Sequence, residues 1–372
     1  RIDALRDGGN YAWGEPLAPG LTDVGSCDYH GLGRHPLVVS AAVQAAQRCG
    51  TSTGAARLIG GTRDVHVDLE TRLAAFVGMP ASLTTTSGAA ANLLVMSALT
   101  SPEDTVVLDR FVHDSVRRVA AINGARVVSV DHNDARHFRA AVRAVTSPRV
   151  WVVVDGLYSM HGDLPNLEAI AEIKSRREGV LVVVDDAHAT GTTGPTGAGS
   201  TSLAGGAAID IVTGSLGKAL GAAGGFVAAR LDVIDALHHL GPAPFTGTLA
   251  PPDAAAALAA LRVLQSEPDR VVKLRRNSLQ LREVLETGGI QVGGSPGAPI
   301  LPIHFGSEHA GIRAARRLTS RHGWYAPVVV WPAVPQGQAM LRVTASSARP
   351  HNATEDLGAA LIQVCRDELV PR

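Results

Sequence analysis

The chain has 372 residues, 45% of them hydrophobic and 18% charged, and its 34 basic residues balance 34 acidic ones. That balance gives no electrostatic footprint for nucleic acid or an anionic membrane, and no apolar run reaches spanning length. Cys27, Cys49 and Cys365 are odd in number and widely spaced, without a metal-ligand pattern or a disulfide framework, which is the profile of a cytosolic enzyme with reduced thiols.

The length exceeds what one hydrophobic core usually serves, so more than one domain is expected. Residues 1–35 are rich in Gly and Pro and read as an irregular arm, without the apolar core of a signal peptide. Residues 36–49 have helical apolar spacing and complete an N-terminal segment of 1–49. A glycine-rich loop follows at 50–64, then an amphipathic helix at 65–78. From there strands and helices alternate, with strands at 81–86, 105–109, 126–130, 150–155, 180–185 and 209–213. These strands lack polar alternation and most are followed by helical patterns, which predicts an α/β fold with a mainly parallel sheet covered on both faces. The large domain is expected over 50–250 and a smaller α+β domain over 251–372, where long helical patterns replace the alternation. The last four residues, Leu-Val-Pro-Arg at 369–372, match the start of a thrombin cleavage site and are assigned no role in the fold.

The chemistry centres on residues 210–225, DIVTGSLGKALGAAGG. An apolar strand feeds a turn that ends in Lys218, flanked by glycines that let other groups approach the backbone. A lysine held there can be partly desolvated and its amine made available to an aldehyde, and pyridoxal phosphate is the obvious cofactor. Ser87-Gly88-Ala89 opens a helix directly after a strand, so unpaired N–H groups and the positive end of the dipole suit a phosphate. Ser87 alone reads as a simple helix cap. Asp185 and Asp186 end the strand VLVVVD, where a carboxylate can pair with a protonated pyridine nitrogen. The pair also suits Mg²⁺, but no phosphate loop of the nucleotide-binding type accompanies it. His188 lies three residues on, in reach of the neighbouring ring oxygen. His113, after the strand TVVLD, can lie flat on the ring, although by itself it reads as a surface helix cap.

In this order the pieces resemble the α-oxoamine synthase family of fold type I pyridoxal phosphate enzymes, which includes 8-amino-7-oxononanoate synthase and 2-amino-3-ketobutyrate CoA ligase. The resemblance runs from DYHGLGRHP (28–36) through SGAAAN, DRFVHDS, DGLYSMHGD, VDDAHATG and TGSLGKALG to LAPP and MLRVTAS. The run WPAVPQGQAMLR (331–342) looks most like the ligase branch.

The resemblance implies that Lys218 carries the cofactor, that Asp185 partners the pyridine nitrogen and His188 the ring oxygen, and that His113 stacks on the ring with Ser159 beside it. It implies phosphate contacts from the amides of Gly88 and Ala89 and from Ser215. Thr246 and Thr248 match a segment that reaches the phosphate of the neighbouring subunit, so a homodimer with shared sites is implied. Arg342 stands where the family binds the substrate carboxylate. Cys27 replaces an asparagine that would make a further carboxylate contact, His30 a leucine and His161 an aspartate. Ala89 stands where an aromatic is common. No metal site is expected.

The activity implied is condensation of an amino acid with an acyl thioester of CoA or a carrier protein, with loss of CO₂, and the changes near the substrate end point to a specialised substrate, as in secondary metabolism. Two other readings stay open: a retro-aldol, racemase or transaminase-like reaction without a thioester, and a cofactor-binding protein without catalysis.

Overall fold

A computed structural model describes residues 17–204, 208–331, 333–334 and 336–369; the start of the expected arm, residues 1–16, and the last three residues lie outside that description. The chain divides into two compact units. The larger comprises Cys27–Ser159 and Leu164–Val272, and the smaller comprises the N-terminal segment up to Ser26, Met160–Asp163 and the chain from Lys273 onward.

The larger unit holds seven strands: β1 Ala81–Thr85, β2 Thr105–Asp109, β3 Arg126–Val130, β4 Val150–Asp155, β5 Val180–Asp185, β6 Ile211–Ser215 and β7 Gly225–Ala229. They form one sheet in the order β1-β7-β6-β5-β4-β2-β3. Only β7 runs against its neighbours, antiparallel to both β1 and β6. Successive side chains of a strand point to opposite faces, and both faces here are dry. Val107, Val152, Val154, Val182, Val184 and Val212 enter one core, while Val106, Leu108, Trp151, Val153, Val183 and Ile211 enter another. This explains the runs VWVVVD and VLVVVD, because a strand covered on both sides needs an apolar residue at every position.

On the first face lie α1 Pro36–Cys49, α2 Asp64–Val77 and the later helix Pro251–Ser266, all of which contribute to the same core cluster. The sequence reading begins the small domain at residue 251, whereas Pro251–Ser266 belongs to the larger unit and the division falls inside the next helix, Asp269–Thr287. Its Ala and Leu residues, Ala254, Ala257, Leu258 and Leu261 among them, are buried in that cluster, so packing holds the helix where its change of texture suggested a break. The other face carries α3 Gly88–Leu99 and α4 Asp114–Ile122.

The smaller unit contains a three-stranded antiparallel sheet in which Met340–Thr344 lies between Val328–Val329 and Ile300–His304. Thr22–Asp23 pairs in parallel with Trp324–Tyr325, so part of the expected irregular arm is a short strand. No helix among the described residues is long and apolar enough to cross a membrane.

Strand β7 and the helix Leu231–His239 after it were not anticipated from sequence. The reversal depends on Gly225, which faces Thr85 on one side and Ser215 on the other. A Cβ at this position would stand 2.3 Å from the carbonyl carbon and oxygen of Ser87 and 2.5 Å from the amide nitrogen of Gly88. Because the obstacle is backbone, a rotamer change cannot relieve it. Gly225→Ala is expected to cost about 2 kcal/mol or more, read as a lower urea midpoint, and to weaken pyridoxal phosphate binding by displacing the start of α3. Wild-type stability in that variant would show that the contact relaxes freely.

Candidate active site

The carboxyl edge of the sheet collects nearly all the residues that the sequence singles out. Ser87 follows β1, His113 follows β2, Ser159 follows β4, Asp185 ends β5, and Ser215 ends β6. Between β6 and β7 the chain makes a tight turn that carries Lys218, half-buried, at the same edge. The turn is closed by backbone bonds from Gly221 N to Lys218 O at 2.8 Å and from Leu216 N to Gly224 O at 3.0 Å. Gly221 has φ +61°, and a Cβ there would lie 2.1 Å from the amide nitrogen of Gly33. The glycines around Lys218 therefore admit the chain's own backbone.

At the head of α3 the Ser87 hydroxyl caps the helix by accepting from the Ala90 N–H at 3.0 Å. Its role as a cap is real, and it leaves the first-turn amides of Gly88 and Ala89 at the positive end of the helix. A Cβ on Gly88 would lie 3.2 Å from Gly214 O and 3.3 Å from Ser215 Cβ, so the cradle and the end of β6 are packed together. The Ser215 hydroxyl accepts from the Gly217 N–H at 3.2 Å.

Asp185 is buried and each of its oxygens accepts a protein donor: Oδ1 from the Ala187 N–H at 2.9 Å, and Oδ2 from Asn92 Nδ2 at 2.6 Å. Asp186 turns to the Ser200 loop, where Ser200 N–H and Oγ donate to it at 2.8 and 2.6 Å. The two aspartates thus part company, and no cluster suited to a metal ion occurs among the described residues. His188 Nδ1 is 2.7 Å from the Tyr29 hydroxyl. His113 is the exposed N-cap of α4, with its backbone N–H donating to Asp155 Oδ1 at 3.2 Å. His30 is buried with Nε2 2.7 Å from Gly191 O, and burial lowers its pKa.

Thr246 and Thr248 lie close to the β1 end of that edge, sharing a cavity with Thr85, Thr86 and Ala90. They belong to segment 242–249, which lines a cavity of about 320 Å³ with Leu58, Leu93 and Thr86. Thr246 Oγ1 donates to Pro242 O at 2.6 Å and Thr248 Oγ1 to Ala55 O at 3.1 Å. Arg342 lies in the smaller unit, 6% exposed, with Nη1 donating to Gly25 O at 3.2 Å. Cys27 is half-buried and in no disulfide, and its backbone carbonyl accepts from the Tyr29 N–H at 2.9 Å.

Sequence reasoning passed over Asp155, Asn92 and Tyr29. Asp155 is directly opposite Asp185 in the parallel register, and both strands end in the same VVVD. Burial drives the Asp155 carboxyl well above the ordinary range, the Asp185 charge adds to this, and the His113 N–H and the Lys218 charge oppose it. Asn92 was visible only as a lone amide in an otherwise apolar helix, GAAANLLVMSAL.

These residues fit pyridoxal phosphate. Helix-end amides beside Ser215 suit its phosphate, a buried carboxylate suits its pyridinium, and a half-buried amine suits its aldehyde, all within the larger unit. The comparisons agree. Residues 19–360 match the family model for aminotransferase class I and II. The chain therefore belongs to that family, with the fold type I architecture and pyridoxal phosphate dependence of the class. It is 39% identical over 341 residues to 8-amino-7-oxononanoate synthase of Geobacter metallireducens, covering 90% of this chain and 86% of that protein. Among solved structures it superposes on the serine palmitoyltransferase of Sphingomonas wittichii with a TM-score of 0.92 at 26% identity, covering 100% of this chain and 97% of that one. A high-resolution structure of SPT with its PLP internal aldimine matches with a TM-score of 0.89 at 26% identity, over 93% of this chain and 88% of that one. Within the family the chain is an α-oxoamine synthase, a pyridoxal phosphate-dependent acyltransferase.

Asp186 offers a test of the buried edge. Desolvation pushes its carboxyl up to about 7, against the two Ser200 hydrogen bonds that favour ionisation. Its folded pKa thus exceeds the ordinary value of 3.8, so its contribution to stability is complete below about pH 4 and is lost as pH rises through about 7. Asp186→Asn, which keeps the shape without the charge, should gain on wild type across that window, by at most about 4 kcal/mol. Denaturant melts at several pH values give the difference, and a pH-independent one would contradict the assignment.

Proposed function

We propose that the chain condenses an amino acid with an acyl thioester of CoA or a carrier protein to give an α-aminoketone, with Lys218 holding the cofactor. The observation that carries this reading is the meeting of Lys218, the α3 amides and buried Asp185 on one sheet edge, supported by the resemblance of the surrounding motifs. In the reaction the amino acid loses its Cα proton, a C–C bond forms to the acyl carbon as the thiol leaves, and the carboxylate departs as CO₂. One proton is taken up overall, at the α-carbon of the product. Pyridoxal phosphate supplies an electron sink for the carbon centre when bound.

The chain's own groups do the rest. Asp185 pairs with the ring nitrogen, His188 with the ring oxygen, and His113 covers the ring face with Ser159 beside it. Gly88, Ala89 and Ser215 hold the phosphate. Lys218, displaced by the substrate amine, moves the Cα proton as general base. Arg342 is assigned the substrate carboxylate, which a guanidinium can bind through two nitrogens, and Cys27 stands where a second carboxylate contact is expected. Three cysteines that form no disulfide suit a reducing, cytosolic setting.

Lys218→Ala should fold normally and lose turnover by at least about a thousandfold. Borohydride reduction of the loaded wild type should leave a pyridoxyl group on the peptide that contains Lys218. A label elsewhere, or near-normal turnover in the variant, would end this reading; amino-acid turnover without acyl thioester would favour the thioester-free alternative.

The homodimer is also part of the proposal. Leu58 (57% exposed), Ile59 (72%) and Phe245 (80%) present large apolar side chains to solvent. They lie on two single turns that pack together next to Thr246 and Thr248 and are joined by the Ala56–Gly247 bridge. Large exposed apolar groups that cluster mark an interaction surface. A double change, Ile59→Asp with Phe245→Asp, should shift sedimentation from dimer to monomer and reduce phosphate-end binding. An unchanged dimer would place the interface elsewhere.

A further inference from the structure

Asn92 lies 2% exposed in the middle of α3's buried face, and all of its polar atoms are used. Its Oδ1 accepts from Thr213 Oγ1 at 2.6 Å. Its two Nδ2 hydrogens go to Asp185 Oδ2 at 2.6 Å and to Ser115 Oγ at 3.0 Å. Ser115 Oγ in turn lies 2.8 Å from His113 Nδ1.

We infer that Asn92 is a positioning residue that fixes, through one amide, both the carboxylate of Asp185 and the ring tautomer of His113. The inference rests on the reading in which those two side chains hold the edge and the face of the cofactor ring.

Donor counting settles the direction of each bond. A flipped Asn92 amide would turn its oxygen towards the Asp185 carboxylate and its NH₂ towards the Thr213 hydroxyl, so the amide orientation is decided from both sides. With Nδ2 donating to Ser115 Oγ, the hydroxyl proton of Ser115 is released to His113 Nδ1. The Ser115 backbone N–H also points at that nitrogen, at 3.4 Å. Two donors aimed at Nδ1 require it to carry the lone pair, so the ring N–H sits on Nε2. The amide also takes one lone pair of Asp185 Oδ2, which fixes the plane of the carboxylate against the end of β5. Thr213, fully buried on β6, is the anchor from which the whole arrangement is set.

The test uses the full chain labelled with ¹⁵N at histidine, with and without pyridoxal phosphate. Long-range ¹H–¹⁵N correlation reads the tautomer, and the His113 signals are identified by their loss in His113→Gln. In wild type Nδ1 should resonate as the bare nitrogen and Nε2 as the protonated one. Asn92→Ala should mix the tautomers and raise the dissociation constant for pyridoxal phosphate about tenfold, the loss of one charge-assisted hydrogen bond. Thr213→Val keeps the shape but removes the anchoring hydrogen bond, leaving the amide held from the Asp185 side alone, and should move both readouts in the same direction by a smaller amount even if Asn92→Ala does not fold. A wild-type ring protonated at Nδ1 would overturn the inference, as would unchanged tautomer and affinity in Thr213→Val. Failure of the functional reading shows separately, as borohydride labelling away from Lys218, while the tautomer experiment still stands or falls by itself.

Discussion

Two carboxylates side by side at a dry sheet edge are the constraint around which the larger unit is arranged. The parallel register of β4 and β5 sets Asp155 opposite Asp185, and burial makes an uncompensated pair of like charges costly. Much of the neighbourhood reads as a response to that cost. The Ala187 N–H and the Asn92 amide engage Asp185, the His113 N–H engages Asp155, and the charge of Lys218 opposes the raised Asp155 pKa. An edge of this kind favours a cationic ring and a nearby amine, and it sits where the first turns of α3 and α4 begin. The head of α3 thus suits an anion and the Asp185 end suits a cation.

The single reversed strand makes this edge possible. If β7 ran parallel to β6, the connection would need a crossover, and the residue at the tip would be carried away from the edge. The antiparallel return keeps the turn short and leaves Lys218 over the ends of the parallel strands. Its cost is close backbone contact, which only glycine tolerates at Gly221 and Gly225.

The architecture was largely legible in the sequence because a strand buried on both faces leaves an unbroken apolar run. The motifs at strand ends gave Ser87, His113 and Asp185 their places by the same logic, and the family resemblance added Ser215. What stayed hidden depended on distance along the chain. Asn92 meets Asp185 across 93 residues and Thr213 across 121, so no local pattern could reveal the hub. Strand β7 was obscured because its apolar stretch follows directly on the glycine-rich turn. Helix Pro251–Ser266 carries the composition of a boundary but the packing of a core element, and only burial distinguishes the two.

Segment 242–249 shows how exposure and order can coexist. Phe245 projects into solvent, yet the chain on either side is tied down: Gly247 bridges to Ala56, and Leu249 O lies 2.7 Å from Nε2 of buried His66. The facing loop is equally fixed, because Arg57 pairs with Glu70, whose Oε1 also accepts from the Thr84 N–H at 2.7 Å. A large apolar side chain left wet on a tied-down stretch of backbone has no benefit for an isolated subunit. It does for one that binds another surface, since the entropy of ordering the loop has already been met and more of the burial appears as affinity. The same rigidity holds Thr246 and Thr248 in place, so that a segment able to reach a neighbouring phosphate would arrive with its hydroxyls already set.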